Sequence, residues 1–142
     1  MQKEEKKILR ILRDDSRISL TRIARELNID IREVYNKIKQ LENNIITKYS
    51  TLIDFEKIGF PIIINYIIVP ETKVEDKILR GFLLNHTKVN NLYRTETGYI
   101  SELIFKDMKE FSDFNEILEK FKLKQKKFHP VIKEIKREGF SL

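Results

Sequence analysis

The order of apolar and polar positions divides the chain into a helical first part and an alternating second part. In the first part apolar residues recur three and four positions apart, which is the spacing of one face of an α-helix. This pattern predicts a helix over 3–14, a second over the stretch LTRIAREL and a third that ends near the stretch ENN. Ser19 and Asp30 stand directly before the second and third helices, where a side-chain oxygen can cap a backbone N–H. Glu33, three residues after Asp30, predicts a capping box.

The second part predicts strands and helices in the order β-α-β-β-α-β. The apolar run 62–69 predicts a strand covered on both faces, and a helix over 74–86 follows with Val74, Ile78 and Phe82 inward and Leu79 as a further candidate. The stretches VNNLYRTE and YISELIF predict a hairpin, and a second helix is predicted over 108–122. A last strand is predicted in VIKEIKREGF, and a short wing strand in IITKYS. We therefore expect an α+β protein, with three helices and a wing before a ferredoxin-like domain.

The stretch ARELNIDIREV satisfies three steric demands of a helix-turn-helix motif. The turn between the helices needs a residue that tolerates a left-handed backbone, and Asn28 stands there. Ala24, four residues earlier, is small enough for the two helices to approach closely. Val34, six residues after Asn28, can lock the second helix onto the first. The turn therefore aims the third helix outward.

With that register, the outward face of the third helix carries residues that suit the major groove of DNA. Arg32 can donate to guanine and Asn36 to adenine, whereas lysines are better suited to phosphates. Tyr35 has two open interpretations, since it can reach DNA or pack against the first helix. The predicted DNA-binding residues are Ile31, Arg32, Tyr35, Asn36, Lys37 and Lys39, with Arg17, Thr21 and Arg22 as clamps on the DNA backbone. The simpler alternative is a solvated charged face of a helical bundle.

Charge supports a polyanionic partner without identifying one. The 142 residues carry a net charge of +6, with 28 basic and 22 acidic residues spread over both halves of the chain. Double-stranded DNA is the expected partner because of how residues are arranged on the third helix, and not because of total charge. No secretory signal is predicted at the N-terminus, and the run 61–70 is too short to cross a membrane. These features predict a cytoplasmic protein with no membrane partner.

The residues that would support catalysis or metal binding are sparse. The chain has no cysteine, which excludes disulfides, thiolate metal sites and a cysteine nucleophile. His86 and His129 are the only histidines, and neither has metal-ligand spacing around it. No Ser-His-Asp order, P-loop or dinucleotide-binding glycine pattern is present. We therefore predict no enzyme activity, no cofactor and no metal site.

The chain resembles the Lrp/AsnC regulators, also called feast/famine regulatory proteins. The resemblance rests on Arg17-Ile18-Ser19 before the second helix, the turn at Asn28, the Gln40-Leu41-Glu42 end of the third helix and the stretch 45–49. It implies a winged helix-turn-helix DNA-binding domain over 1–48, a connecting strand or linker over 49–60, and a βαββαβ domain of the RAM type over 61–142. It also implies a transcription regulator that dimerises through back-to-back sheets, often assembling into tetramers or octamers, on pseudo-palindromic promoter DNA.

The turn of the predicted hairpin departs from the family pattern. In the family the turn glycine is commonly followed by two alternating acidic residues near an amino-acid effector. Here Gly98 is followed by Tyr99 and Ser101 at those positions. The resemblance thus implies Gly98, Tyr99 and Ser101 as effector-binding residues, but the missing carboxylates argue against a free amino acid held by its ammonium group. A different small-molecule effector, or none, is expected.

Two further functions remain open from the sequence. Some siroheme decarboxylases resemble the same two-domain fold, and the stretch NNLYRTETGY supplies tyrosines and an arginine but no histidine. The other alternative is an assembly or interaction protein that has kept the fold without specific DNA binding.

Overall fold

In the computed structural model, residues 2–140 are described, and they belong to two compact units. Of the described residues, the first unit comprises 2–52 and 136–140, and the second comprises 53–135. The stretch 136–140 thus groups with the N-terminal helices, whereas the sequence assigned it to the second domain.

The first unit is built on three helices: α1 (Lys3–Asp14), α2 (Leu20–Leu27) and α3 (Ile31–Asn44). Each helix contributes one apolar stripe to a shared core, as the periodicity predicts. The buried core residues are Ile8, Leu9, Leu12, Ile23, Val34, Ile38 and Leu41. Ala24 and Ile29 are partly buried and pack against this core.

The turn between α2 and α3 has the predicted left-handed backbone. Asn28 has φ 54° and ψ 48°. The backbone N–H of Ile29 donates to Ala24 O at 3.1 Å, and that of Asn28 to Arg25 O at 3.4 Å, which is the Schellman pattern. Ser19 caps α2 by accepting from the N–H of Arg22 at 3.2 Å. The predicted helix-turn-helix is therefore confirmed in its backbone geometry.

The capping box at the start of α3 was predicted wrongly. Asp30 caps the helix, with its Oδ1 accepting from the N–H of Arg32 at 2.7 Å. The Glu33 carboxylate instead lies 3.5 Å from Lys37 Nζ, four residues along the same helix. Glu33 thus pairs with a lysine one turn along the helix and does not form the expected bond with the backbone N–H of Asp30.

The wing strand predicted in IITKYS is also absent, since no residue in the described stretch 45–61 lies in a strand. The N–H groups of Ile45 and Ile46 both donate to Leu41 O, at 2.8 and 2.7 Å, so they extend the end of α3. Ile46 also packs against the helical core. Within 53–61, residues Glu56–Ile58 form a single 3₁₀ turn.

The second unit has the predicted βαββαβ order. Its elements are β1 (Ile62–Pro70), α4 (Lys73–Asn85), β2 (Val89–Arg94), β3 (Tyr99–Phe105), α5 (Met108–Leu118) and β4 (Leu123–Pro130). The four strands form one antiparallel sheet in the order β2-β3-β1-β4. Tyr66 and Phe105 of the sheet are fully buried, as are Leu79 of α4 and Leu118 of α5. The core therefore lies between the two helices and one face of the sheet.

Three predictions in this unit were wrong in detail. The last strand is β4 (Leu123–Pro130) and not the stretch 131–140, because β1 pairs with it from Ile64 opposite Pro130 onward. Helix α5 ends at Leu118, four residues earlier than predicted. Helix α4 buries Leu79 and Leu83, whereas Val74 and Ile78 are 70% and 55% exposed.

Candidate nucleic-acid interface

The exposed face of α3 carries Arg32, Asn36 and Lys39, which are all exposed. One residue rotates an α-helix by about 100°, so positions 32, 36 and 39 share one stripe. That stripe lies opposite the buried side chains of Val34 and Ile38. Among the residues that the structure describes, Arg32 and Asn36 make no side-chain hydrogen bond or ion pair. These two side chains are thus available to a ligand outside the helix.

Two apolar residues flank this stripe. Ile31 and Tyr35 are 43% and 50% exposed, so Tyr35 is not part of the helical core. The ammonium of Lys39 lies 5.8 Å from the centroid of the Tyr35 ring, within the range of a cation–π contact. Of the two interpretations left open for Tyr35, the structure favours the outward one.

Lys37 stands on a different side of α3 from the other predicted DNA-binding residues. Its ammonium donates to Gln2 Oε1 at 3.0 Å and lies 3.5 Å from Glu33 Oε1. Its side chain is 13% exposed. One residue beyond Asn36, the helix has turned this lysine toward the beginning of α1, where Gln2 stands. The structure therefore does not bring Lys37 together with Arg32, Asn36 and Lys39.

The residues predicted to clamp the DNA backbone lie in the loop before α2 and in its first turn. Arg17, Thr21 and Arg22 are all exposed. Arg22 is partly engaged already, because its Nε donates to Glu26 Oε1 at 3.1 Å one turn along the helix. The backbone N–H of Arg17 donates to Asp15 Oδ1 at 2.9 Å, which fixes the loop before α2 and leaves the guanidinium outside that bond.

Two neighbours of Lys39 were not among the predicted site residues. Lys39 Nζ lies 3.0 Å from Glu42 Oε2, and the Tyr49 hydroxyl donates to Glu42 Oε1 at 3.2 Å. The hydrogen bond to Glu42 raises the pKa of Lys39, and the same bond lowers the pKa of Glu42, so both stay charged at neutral pH. The three-residue spacing of Lys39 and Glu42 was a usable sequence signal for this pair. The contact with Tyr49 had none.

The predicted effector-binding residues lie in the second unit, at the turn between β2 and β3. Tyr99 and Ser101 are only 2% and 0% exposed. The Tyr99 hydroxyl donates to Asp76 Oδ1 at 2.8 Å, and Ser101 Oγ donates to Asn91 O at 3.1 Å. Their polar groups are thus already bonded within the unit. Packing alone accounts for glycine at position 98, because a Cβ there would stand 2.1 Å from the carbonyl oxygen of Ile68.

An ion pair covers the Tyr99 ring. The Arg94 guanidinium is bonded to the Asp76 carboxylate and lies 4.8 Å from the centroid of the Tyr99 ring. The hydrogen bond from Arg94 lowers the pKa of Asp76, so that carboxylate is ionised at neutral pH. Tyr99, at a position where the family commonly has an acidic residue, is therefore a buried phenol covered by Arg94.

The second unit also contains an apolar cleft. The cleft has a volume of about 360 Å³ and is lined by Pro61, Ile62, Ile63, Ile64, Met108, Phe111, Phe128, Pro130 and Val131. Within residues 2–140, no group of three His, Asp or Glu side chains could hold a metal ion. No helix in that range is long and apolar enough to cross a membrane.

Comparison with family models identifies the first unit. Residues 5–42 match the AsnC-type helix-turn-helix domain. An uncharacterised HTH-type transcriptional regulator of Pyrococcus abyssi is 44% identical over 57 residues, and a similar protein of Pyrococcus furiosus is 39% identical over 57 residues. The matched part spans about two-fifths of the length of these relatives, 39% and 38%.

A relative that matches over a longer stretch, together with solved structures, extends the similarity to both units. The HTH-type transcriptional regulator Ptr1 of Methanocaldococcus jannaschii is 33% identical over 112 residues, which cover 76% of this chain and 74% of Ptr1. A transcriptional regulator from Neisseria meningitidis, solved in complex with L-Met, has the same fold with a TM-score of 0.89 at 22% identity, covering 100% of this chain and 96% of that one. E. coli AsnC superposes with a TM-score of 0.87 at 12% identity, covering 100% and 99% of the two chains. The chain belongs to the Lrp/AsnC family of DNA-binding transcription regulators.

Proposed function

We propose that this protein recognises specific sites in promoter DNA, with α3 placed in the major groove. The observation that carries the proposal is the exposed stripe of Arg32, Asn36 and Lys39, held at a fixed angle by the left-handed turn at Asn28. A helix of this diameter fits the major groove and reads base edges with its N-terminal half. The proposed compartment is the cytoplasm.

Each residue of the stripe has a proposed role. Arg32 lies in the first turn of α3 and can donate two hydrogen bonds to guanine, and Asn36 can pair with adenine. Lys39 lies one turn further along and is assigned to a phosphate, which gives affinity without sequence choice. Arg17, Thr21 and Arg22 are proposed to hold the DNA backbone beside α2. Ile31 and Tyr35 are proposed to make apolar contacts in the groove, such as with thymine methyl groups.

The test is selection of binding sites from a randomised duplex pool, followed by measurement of affinity at several salt concentrations. Arg32→Ala should relax base preference at one position of each half-site and cost about 1–3 kcal/mol on the selected duplex. Lys39→Ala should weaken the selected and scrambled duplexes alike and reduce the salt slope by about 0.9. A wild-type protein that binds both duplexes equally at physiological salt would refute specific recognition.

Lys37 provides the matched control for Lys39. Both are lysines on α3, but Lys37 Nζ is bonded on the side of α1. Lys37→Ala should leave the salt slope unchanged, once circular dichroism has shown that the variant is folded. A drop in slope equal to that of Lys39→Ala would instead restore Lys37 as a phosphate contact.

The open face of the sheet is the proposed dimer interface. Across from the two helices it presents Ile63, Ile67, Val69, Tyr93 and Ile100, of which Tyr93 and Ile100 are 61% and 42% exposed. Burial of such a face against a second copy would remove this apolar surface from water. A two-fold dimer would present its two α3 helices to half-sites about 34–36 Å apart, or a multiple of that distance. Tetramers and octamers are the further assemblies proposed.

Analytical ultracentrifugation tests this interface. Ile67→Asp should yield monomers that bind a single half-site weakly. Ile78→Asp places the same charge on the exposed side of α4, where Ile78 is already 55% exposed, and should leave the oligomer intact. Equal dissociation of both variants would argue against the sheet face.

The proposed effector differs from the amino acid that the family pattern implies. Because Tyr99 and Ser101 are buried and already bonded within the second unit, to Asp76 of α4 and Asn91 of β2, we do not propose a free amino acid held there by its ammonium group. A different small-molecule effector, or none, is proposed. Repeating the duplex-binding measurement with an amino-acid mixture should leave the affinity unchanged, and a shift would show that an amino acid acts as effector.

A further inference from the structure

The ammonium of Lys39 is held by a carboxylate on the same helix. Lys39 Nζ and Glu42 Oε2 are 3.0 Å apart, and their side chains are 55% and 32% exposed. The two residues are three positions apart, so the pair closes over one turn of α3. The cation that the proposed function assigns to a phosphate is thus already paired in the free protein.

The carboxylate is fixed from its other side as well. Glu42 Oε1 accepts from the hydroxyl of Tyr49, at 3.2 Å, and Tyr49 lies in the stretch that follows α3. Burial raises the pKa of Tyr49 first, and the charge of Glu42 raises it further, so the phenol remains a donor at neutral pH. With one oxygen on Lys39 and one on Tyr49, Glu42 has a defined orientation at the rim of the exposed stripe.

A phosphate that approaches Lys39 therefore meets a negative charge beside the cation. A carboxylate about 3 Å from the ammonium cancels much of the attraction that the ammonium exerts on a phosphate. Two like charges about 4 Å apart in water repel by an energy that corresponds to about a fivefold change in affinity. Lys39 can then neutralise a phosphate fully only if the bond to Glu42 is broken or screened by salt.

We propose that Glu42 is a positioning residue that restrains Lys39 and thereby limits the affinity of the protein for DNA of any sequence. This inference rests on the proposed DNA binding of α3. A regulator that is restrained in this way spends less of its time on non-specific duplex, because that binding is almost wholly electrostatic. Contacts of Arg32 and Asn36 with bases, which lie outside the pair, are unaffected. The restraint on Lys39 therefore lowers affinity for every duplex, and base preference rests on Arg32 and Asn36.

The isosteric variant Glu42→Gln removes the charge and keeps an oxygen that can accept from Tyr49. It should bind a scrambled duplex about fivefold more tightly than the wild type, with the salt slope steeper by about 0.9. The selected duplex should gain by a similar factor, so the ratio of selected to scrambled affinity should change little, because Lys39 is assigned to a phosphate and not to a base. An exposed ion pair on one helix contributes little to the stability of the fold, so the variant should remain folded.

Two comparisons separate pairing from total charge. Glu33→Gln removes the same charge from α3, but Glu33 faces Lys37 on another side of the helix, so its effect should be smaller. In the Lys39→Ala background, Glu42→Gln should lose most of its effect. Equal gains in the presence and absence of Lys39 would overturn the inference in favour of a general charge effect.

A measurement without DNA completes the test. The pKa of Tyr49, followed by NMR of a ¹³C-labelled tyrosine, should fall in the Glu42→Gln variant because the neighbouring negative charge is gone. An unchanged Tyr49 pKa would show that the contact does not exist and would overturn the inference alone. Wild-type and variant proteins that all fail to bind duplex, with the Tyr49 pKa shifted as expected, would overturn the proposed function and, with it, the role of Glu42.

Discussion

Asn28 supplies the left-handed backbone of the turn between α2 and α3. Its backbone is left-handed, with φ 54°, and the next N–H groups close the end of α2. Left-handed backbone brings Cβ too close to the following carbonyl and costs about 1–2 kcal/mol for an ordinary L-residue. Asparagine lowers this cost by local hydrogen bonding, and glycine avoids it because it has no Cβ.

Substitution at this position gives a predictable order of stability. Asn28→Ala should reduce the free energy of unfolding by about 1 kcal/mol, and Asn28→Val by about 2 kcal/mol because a β-branched side chain is crowded further. Asn28→Gly should remain within about 0.5 kcal/mol of the wild type, since its relief of strain is offset by the greater entropy of the unfolded chain.

Urea unfolding followed by circular dichroism at 222 nm measures these differences. With a denaturant slope of about 1–3 kcal/mol per M, a loss of 1 kcal/mol lowers the midpoint by roughly 0.3–1 M. The slope itself should not change. The reasoning is refuted if Asn28→Ala is as stable as the wild type, or if Asn28→Gly is less stable than Asn28→Ala.

Three further predictions concern the second unit. Gly98→Ala should destabilise it by about 1–3 kcal/mol, measured by thermal unfolding, because the new Cβ would stand 2.1 Å from the backbone oxygen of Ile68. Burial raises the pKa of Tyr66, so its contribution to stability is complete below the ordinary pKa of 10 and is lost as the pH rises above it; Tyr66→Phe should weaken this alkaline loss in pH-dependent unfolding. The bond from Arg94 lowers the pKa of Asp76, so its contribution is present above the ordinary pKa of 3.8 and is lost as the pH falls through the lower folded value. Acid unfolding of Asp76→Asn should lack this component.

Local features of the first unit could be predicted because their causes lie within a few residues. The cap at Ser19 and the left-handed turn at Asn28 follow from which side chains fit a given backbone. The choice of Arg32 and Asn36 as outward residues follows from the helical period once the turn fixes the register. For α3, with its single apolar stripe, the start of the helix therefore determines which side chains are exposed.

Features that depend on competition between partners could not be predicted in the same way. Glu33 could bond to the backbone N–H of Asp30 or pair with Lys37, and it pairs with Lys37. Lys37 also donates to Gln2 and lies outside the exposed stripe. Helix α4 has apolar residues on more than one face, and only its packing on the sheet selects Leu79 over Ile78.

The sequence by itself determined the order of the elements, the turn at Asn28 and the outward stripe of α3, because each depends on short-range sterics and on helical or strand periodicity. Only the tertiary structure decided that β4 is the basic stretch Leu123–Pro130, that Tyr99 and Ser101 point into the core, and that Glu42 lies between Lys39 and Tyr49. These outcomes depend on which distant segment of chain offers the better pairing or packing, and that comparison is made only when the chain has folded.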